Sequence, residues 1–117
     1  MNLDQFYNRT YNSKTYNCAH FVVEVWVHIT GDNIAHILKG FLLPPENRYV
    51  DSKLFKHFKK LNEPKSPCIV LMQRPKTPPH VGVYFKGRVF QITEQCVDYQ
   101  PVDVATQGFN KVGYYSC

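Results

Sequence analysis

The sequence predicts an α+β domain whose N-terminal helices pack on a C-terminal antiparallel sheet. Three observations carry that expectation. Apolar residues in the first half recur at helical spacing, and those of the second half fall in short β-prone runs bounded by proline and glycine. Two of those runs are joined by Lys86-Gly87, a two-residue hairpin signal weaker than Asn-Gly.

The clearest helix runs from Asn17 to Thr30. Cys18, Ala19, Phe21, Val22, Val25, Trp26 and Ile29 share one face, Asn17 suits the N-cap, and Gly31 suits the C-terminal stop. Residues 1–16 form a polar lead-in containing Tyr7, Tyr11 and Tyr16. Ile34, Ile37, Leu38, Phe41 and Leu42 read as a shorter helix that Pro44-Pro45 ends, and residues 51–61 as a second amphipathic helix. The apolar run 68–73 reads as a buried strand, followed by a proline-rich loop at 74–79 and the hairpin strands 80–85 and 88–93. The tail adds β-prone pieces at 97–99 and 111–115 around a Gln107-Gly108 turn. With 117 residues the chain is expected to form one domain, 1–117, with a single core.

Composition narrows the function classes. No apolar run approaches the roughly 18–20 residues that span a bilayer, and the N-terminus has no apolar signal core. The expectation is therefore a chain that is cytoplasmic as synthesised. The net charge of +5 favours anionic partners such as cell-wall polymers, nucleic acid or lipid head groups. The basic residues are scattered, however, and the one cluster (Lys53, Lys56, Lys59, Lys60) reads as a solvated helix face, so no nucleic-acid partner is expected. Cys18, Cys68, Cys96 and Cys117 lack C-x-x-C spacing, which gives little support to a zinc site and suggests free thiols. Cys68 and Cys96 read as small packing residues.

Cys18 differs because of its position. A thiol in the first helical turn meets unpaired backbone N–H groups and the positive end of the helix dipole, which favour the thiolate. His80 opens a strand after a loop, and a hairpin turning at Lys86-Gly87 sets Gly82 opposite Gln91. His80 and Gln91 then become diagonal neighbours on one face. Gly82 leaves a gap on that face, where the Cys18 helix is expected to approach. A cysteine, an imidazole base and an orienting amide form the set used in covalent acyl transfer. His20 lies about 200° around the helix from Cys18 and reads as structural. His28, His36 and His57 have no cysteine at a useful offset.

The strings Tyr16-Asn17-Cys18-Ala19-His20-Phe21-Val22 and His80-Val81-Gly82-Val83-Tyr84-Phe85 resemble those of the NlpC-type peptidases, papain-like cell-wall hydrolases. The resemblance implies a papain-like fold and a thiol protease with Cys18 as nucleophile, His80 as base and Gln91 as third residue, though the family more often has histidine there. It implies that Tyr7 helps bind the oxyanion, that no cofactor is needed, and that the substrate is a peptide amide, foremost in peptidoglycan. As with similar enzymes, the expectation is a protein that either acts inside the cell or is delivered to the periplasm by a phage particle or secretion machine, with a phage or secretion-system partner protein. The Asn-Cys-x-His-Phe-Val string is also similar to the lecithin–retinol acyltransferase branch, in which the histidine strand precedes the cysteine helix. Two alternatives follow: an acyltransferase or deacylase working through a Cys18 thioester, and a non-catalytic phage-tail or partner-binding module that retains the fold.

Overall fold

The computed structural model describes residues 2–116. Its centre is a six-stranded antiparallel sheet built from β1 (Lys59–Leu61), β2 (Cys68–Gln73), β3 (His80–Phe85), β4 (Arg88–Ile92), β5 (Val97–Pro101) and β6 (Lys111–Ser116). The strands lie in the order β1-β6-β2-β3-β4-β5. Three helices accompany them: α1 (Cys18–Thr30), α2 (Lys53–His57) and α3 (Val102–Ala105). The expected α+β class with an antiparallel sheet is what forms. No helix among the described residues is long and apolar enough to cross a membrane.

Helix α1 forms where its capping signals place it. Asn17 Oδ1 accepts from the Ala19 N–H at 3.0 Å, and the Asn17 N–H donates to His20 Nδ1 at 3.1 Å. This reciprocal cap satisfies donors that a helix start leaves unpaired. Gly31 ends the helix at φ +85° and returns its N–H to Val27 O. The buried stripe Ala19, Phe21, Val22, Val25 and Trp26 packs over β3 and β4. Each large apolar side chain buried there contributes about 1.5–3 kcal/mol relative to exposure.

The central hairpin turns at Lys86 (φ +50°) and Gly87 (φ +88°), the two positive angles of a type I′ turn. Phe85 pairs with Arg88, Tyr84 with Val89 and Val83 with Phe90, the register expected from the sequence. Val81, Val83, Phe90 and Ile92 therefore face α1, and Val89 and Tyr84 face the opposite layer with Val70, Met72, Ala105 and Phe109.

Three local expectations are corrected. Residues 34–42 form consecutive turns rather than a helix, although Ile34, Ile37, Leu38 and Phe41 are buried as the spacing requires. Gly40 is pressed against the Tyr49 ring, and its N–H is taken by Asp51 Oδ2 at 3.1 Å, so the chain bends there. The helix expected over 51–61 stops at His57, because Lys59, Lys60 and Leu61 pair with Ser116, Tyr115 and Tyr114 of β6. The exposed lysines of β1 then lie on an edge strand, where charge discourages further pairing. Finally, α1 does not approach over Gly82. The apolar face of β3 lies on the other side, and Val89 fills the space above Gly82, with Cγ1 2.9 Å from where a Cβ would stand. The short helix α3 carries no clear signal in the sequence.

Candidate active site

Cys18 is the first residue of α1, which packs on β3, and His80 is the first residue of β3. His80 and the Val81 backbone lie close enough to the Cys18 sulfur to set its ionisation. The helix thus delivers the thiol to the end of the strand rather than to its middle. Burial pushes the Cys18 thiol up, but the His80 hydrogen bond and charge, the Arg48 charge and the Val81 N–H outweigh it. They hold the thiol below its ordinary value. Burial likewise pushes the His80 imidazole down. The bond and charge of Cys18, aided by Gln91, overcome that and hold it above its ordinary value against the opposing Arg48 charge. Both shifts favour the thiolate–imidazolium form of the pair over the neutral one.

The far side of the ring is fixed as well. His80 Nε2 stands 2.7 Å from Gln91 Oε1, so the nitrogen carries the proton and the amide oxygen accepts it. With Nε2 engaged, Nδ1 is the nitrogen left to Cys18. Gln91 is buried, and its Nε2 donates to Asp98 Oδ1 at 3.2 Å across the β4–β5 pair, in which Gln91 and Asp98 lie opposite each other. The carboxylate accepts only, so it selects the amide rotamer that points oxygen at His80. Phe109 stacks on the imidazole (centroids 6.0 Å apart, planes at 10°), and the Arg74 guanidinium lies over the Phe109 ring at 5.0 Å.

A cleft of about 500 Å³ opens onto this group. Its lining includes Tyr11, Arg48, Arg74, His80, Gln91 and Phe109. Cys18 is 1% exposed and is not among the residues that line the cleft.

Three of the four residues expected from the sequence are therefore brought together: Cys18, His80 and Gln91. Tyr7 is not. It packs against Phe90 at 5.4 Å and lines a separate groove with Phe85, Lys86 and Tyr99, at the hairpin end of β3. The first turn of the chain, residues 4–6, buries Phe6 between Phe21 and Phe90, and this carries Tyr7 to that end. Tyr11 is the lead-in tyrosine that reaches the cleft. Its neighbour Tyr16 instead donates to Glu24 at 2.6 Å and stacks on His20. His20 serves the helix cap, the structural role its position implied.

Asp98, Arg48, Tyr11 and Phe109 escaped the sequence reading. Asp98 was within reach, since extending the hairpin register by one strand places it opposite Gln91. Arg48 follows a turn after Pro44-Pro45 and has no periodic signal. Cys68 is buried in β2, and burial raises its thiol. Cys96 is exposed and unpaired, and Cys117 lies outside the described residues. No group of three or more His, Cys, Asp or Glu side chains among the described residues is arranged to hold a metal ion. No family model, curated protein or solved structure matches this chain.

Proposed function

We propose that this chain is a cysteine hydrolase that cleaves a peptide amide, with an NlpC-type, papain-like arrangement of helix and sheet. The observation that carries the reading is the Cys18–His80 pair at a helix start, with the second imidazole nitrogen held by Gln91. The thiolate attacks the carbonyl carbon, and the carbonyl oxygen becomes an oxyanion facing the free Cys18 N–H of the first helical turn. On this reading Tyr11, which lines the cleft, supplies the second donor. His80 gives its proton to the leaving nitrogen as the C–N bond breaks, leaving a thioester on Cys18. It then takes a proton from water, whose oxygen attacks the thioester, and an acid and the thiol are released. Gln91 keeps the ring in plane through both halves, and Asp98 keeps Gln91 in its rotamer.

The resemblance of the two motif strings supports peptidoglycan peptides as the substrate, and the net charge of +5 suits an anionic wall polymer. On this reading the protein reaches the wall by way of a phage particle or a secretion machine. The test is digestion of purified muropeptides followed by mass spectrometry, with Cys18→Ala as the control. New termini from a single amide class in the wild type alone are expected. Transfer of an acyl group from an ester, with muropeptides left intact, would replace the peptidase reading by the acyltransferase one.

A further inference from the structure

The cleft beside His80 contains a cation without a counter-ion. Arg48 donates from Nη1 to Pro79 O at 3.1 Å, which ties its guanidinium to the residue just before His80. Its Nε and Nη2 atoms are buried and have no hydrogen-bond partner among the described residues. The Arg9–Glu24 pair is the ion pair that forms among those residues, so no carboxylate neutralises Arg48. Buried donors without partners are costly, and charged ones more so. The two unpaired nitrogens are also a particular pair. Nε and Nη2 form one edge of the planar guanidinium, with parallel N–H bonds that match the two oxygens of a carboxylate.

The surroundings fit an anion. Arg48 and Arg74 both line the cleft, against the single acid Glu94, which is exposed. The bond to Pro79 O places the guanidinium beside His80, and its charge bears on both Cys18 and His80. The unpaired edge and the Cys18 sulfur are both closed to solvent in this structure.

We propose that Arg48 is a specificity-determining residue whose Nε/Nη2 edge receives a carboxylate that the substrate carries close to its scissile carbonyl. This inference rests on the cysteine-hydrolase reading and narrows its substrate class to acidic peptides. The carboxylate satisfies the orphaned donors, fixes the acyl group in front of the thiolate and excludes neutral peptides of the same shape. Discrimination of this kind is strong because a neutral ligand leaves the buried donors unpaired.

The experiment compares alkylation of Cys18 by iodoacetate, which carries a carboxylate, with alkylation by neutral iodoacetamide. Rates are read by peptide mass spectrometry in the wild type, Arg48→Lys and Arg48→Gln, with exposed Cys96 as internal reference. Both reagents react with the same thiolate, so their rate ratio cancels any change in thiolate fraction. The iodoacetate preference at Cys18 over Cys96 is expected to be about tenfold or more, the lower end of a charge-assisted hydrogen bond. It should vanish in Arg48→Gln and be only partly kept in Arg48→Lys, which holds the charge without the fork. Equal ratios at Cys18 and Cys96 in the wild type, with Cys18 still reactive, would overturn the Arg48 assignment and leave the hydrolase reading standing. A Cys18 inert to both reagents would overturn that reading, and this inference with it.

Discussion

His80 Nε2 and Gln91 Oε1 lie 2.7 Å apart across neighbouring strands, and this contact decides which imidazole nitrogen is offered to Cys18. It depends in turn on Asp98, which holds the amide nitrogen of Gln91 at 3.2 Å. A carboxamide can turn over, and only an acceptor on its nitrogen side prevents that.

Gln91→Ala should lower kcat by about 10- to 100-fold, the range set by losing one charge-assisted hydrogen bond of roughly 1.5–3 kcal/mol. Asp98→Asn tests the outer contact separately. An asparagine can donate to Gln91 as well as accept, so part of the population turns the amide and presents N–H to His80. That orientation disfavours the imidazolium. The alkaline limb of the pH–rate profile should therefore move down in Asp98→Asn, whereas loss of packing alone would lower the rate at every pH without moving the limb.

The coupled shifts of Cys18 and His80 set the pH dependence. The Cys18 thiol lies below its ordinary value, so alkylation by iodoacetamide should rise as pH passes through that lowered value, ahead of an exposed thiol at about 8.5. In His80→Ala the main partner is gone while burial remains, so the rise should shift to higher pH than in the wild type. Hydrolysis also needs the imidazolium as a proton donor. Its rate should therefore follow a bell-shaped pH dependence whose two limbs belong to the coupled Cys18–His80 pair. A wild-type alkylation profile that coincides with that of Cys96 would contradict the pairing.

The parts of this site that the sequence made legible are those governed by local rules. The α1 cap, the first-turn thiol and the hairpin register depend on residues close in the chain, and each stands where spacing and turn chemistry put it. Tyr7 failed for a tertiary reason. A polar lead-in with three tyrosines has no periodicity to select one, and burial of Phe6 sends Tyr7 to the hairpin end. The 51–61 helix failed because the free edge of β6 captured residues that also satisfy helical spacing. The side of the sheet on which α1 lies follows from the apolar face of β3, and Gly82 alone gave no direction.

Gly82→Ala should destabilise the protein by about 1–3 kcal/mol, as measured by denaturant unfolding. The added methyl would stand 2.9 Å from Val89 Cγ1 and 3.3 Å from the Phe90 carbonyl oxygen, and the backbone oxygen cannot move aside cheaply. Because Gly82 is close to Gln91 Cβ (3.4 Å from the added atom), the same change should also loosen the His80–Gln91 contact. A variant with wild-type stability and rate would show that β3 and β4 separate more easily than their packing implies. Val89→Ala in the Gly82→Ala background should recover part of the stability by vacating the side-chain clash.

Asn17 joins the folding of the site to its chemistry. Its side chain is fully buried, with Oδ1 capping α1 and Nδ2 donating to Leu42 O at 3.1 Å and Leu43 O at 3.2 Å. Asn17→Ala removes the cap, worth about 0.5–2 kcal/mol. It also removes the donor of the part-buried Leu42 and Leu43 carbonyls, which water can reach, at about 0.5–1.5 kcal/mol for each hydrogen bond lost. A loss of roughly 2–4 kcal/mol in unfolding free energy is expected. Asn17→Asp separates the two roles, since the carboxylate keeps the cap acceptor and loses the donors. It also places a negative charge one residue from the Cys18 thiolate, which must raise the thiol. The expected result is a helix start retained by amide hydrogen exchange, with the Cys18 alkylation limb displaced to higher pH. An unmoved limb would mean that His80 and Arg48, rather than the field at the helix start, set the thiolate on their own.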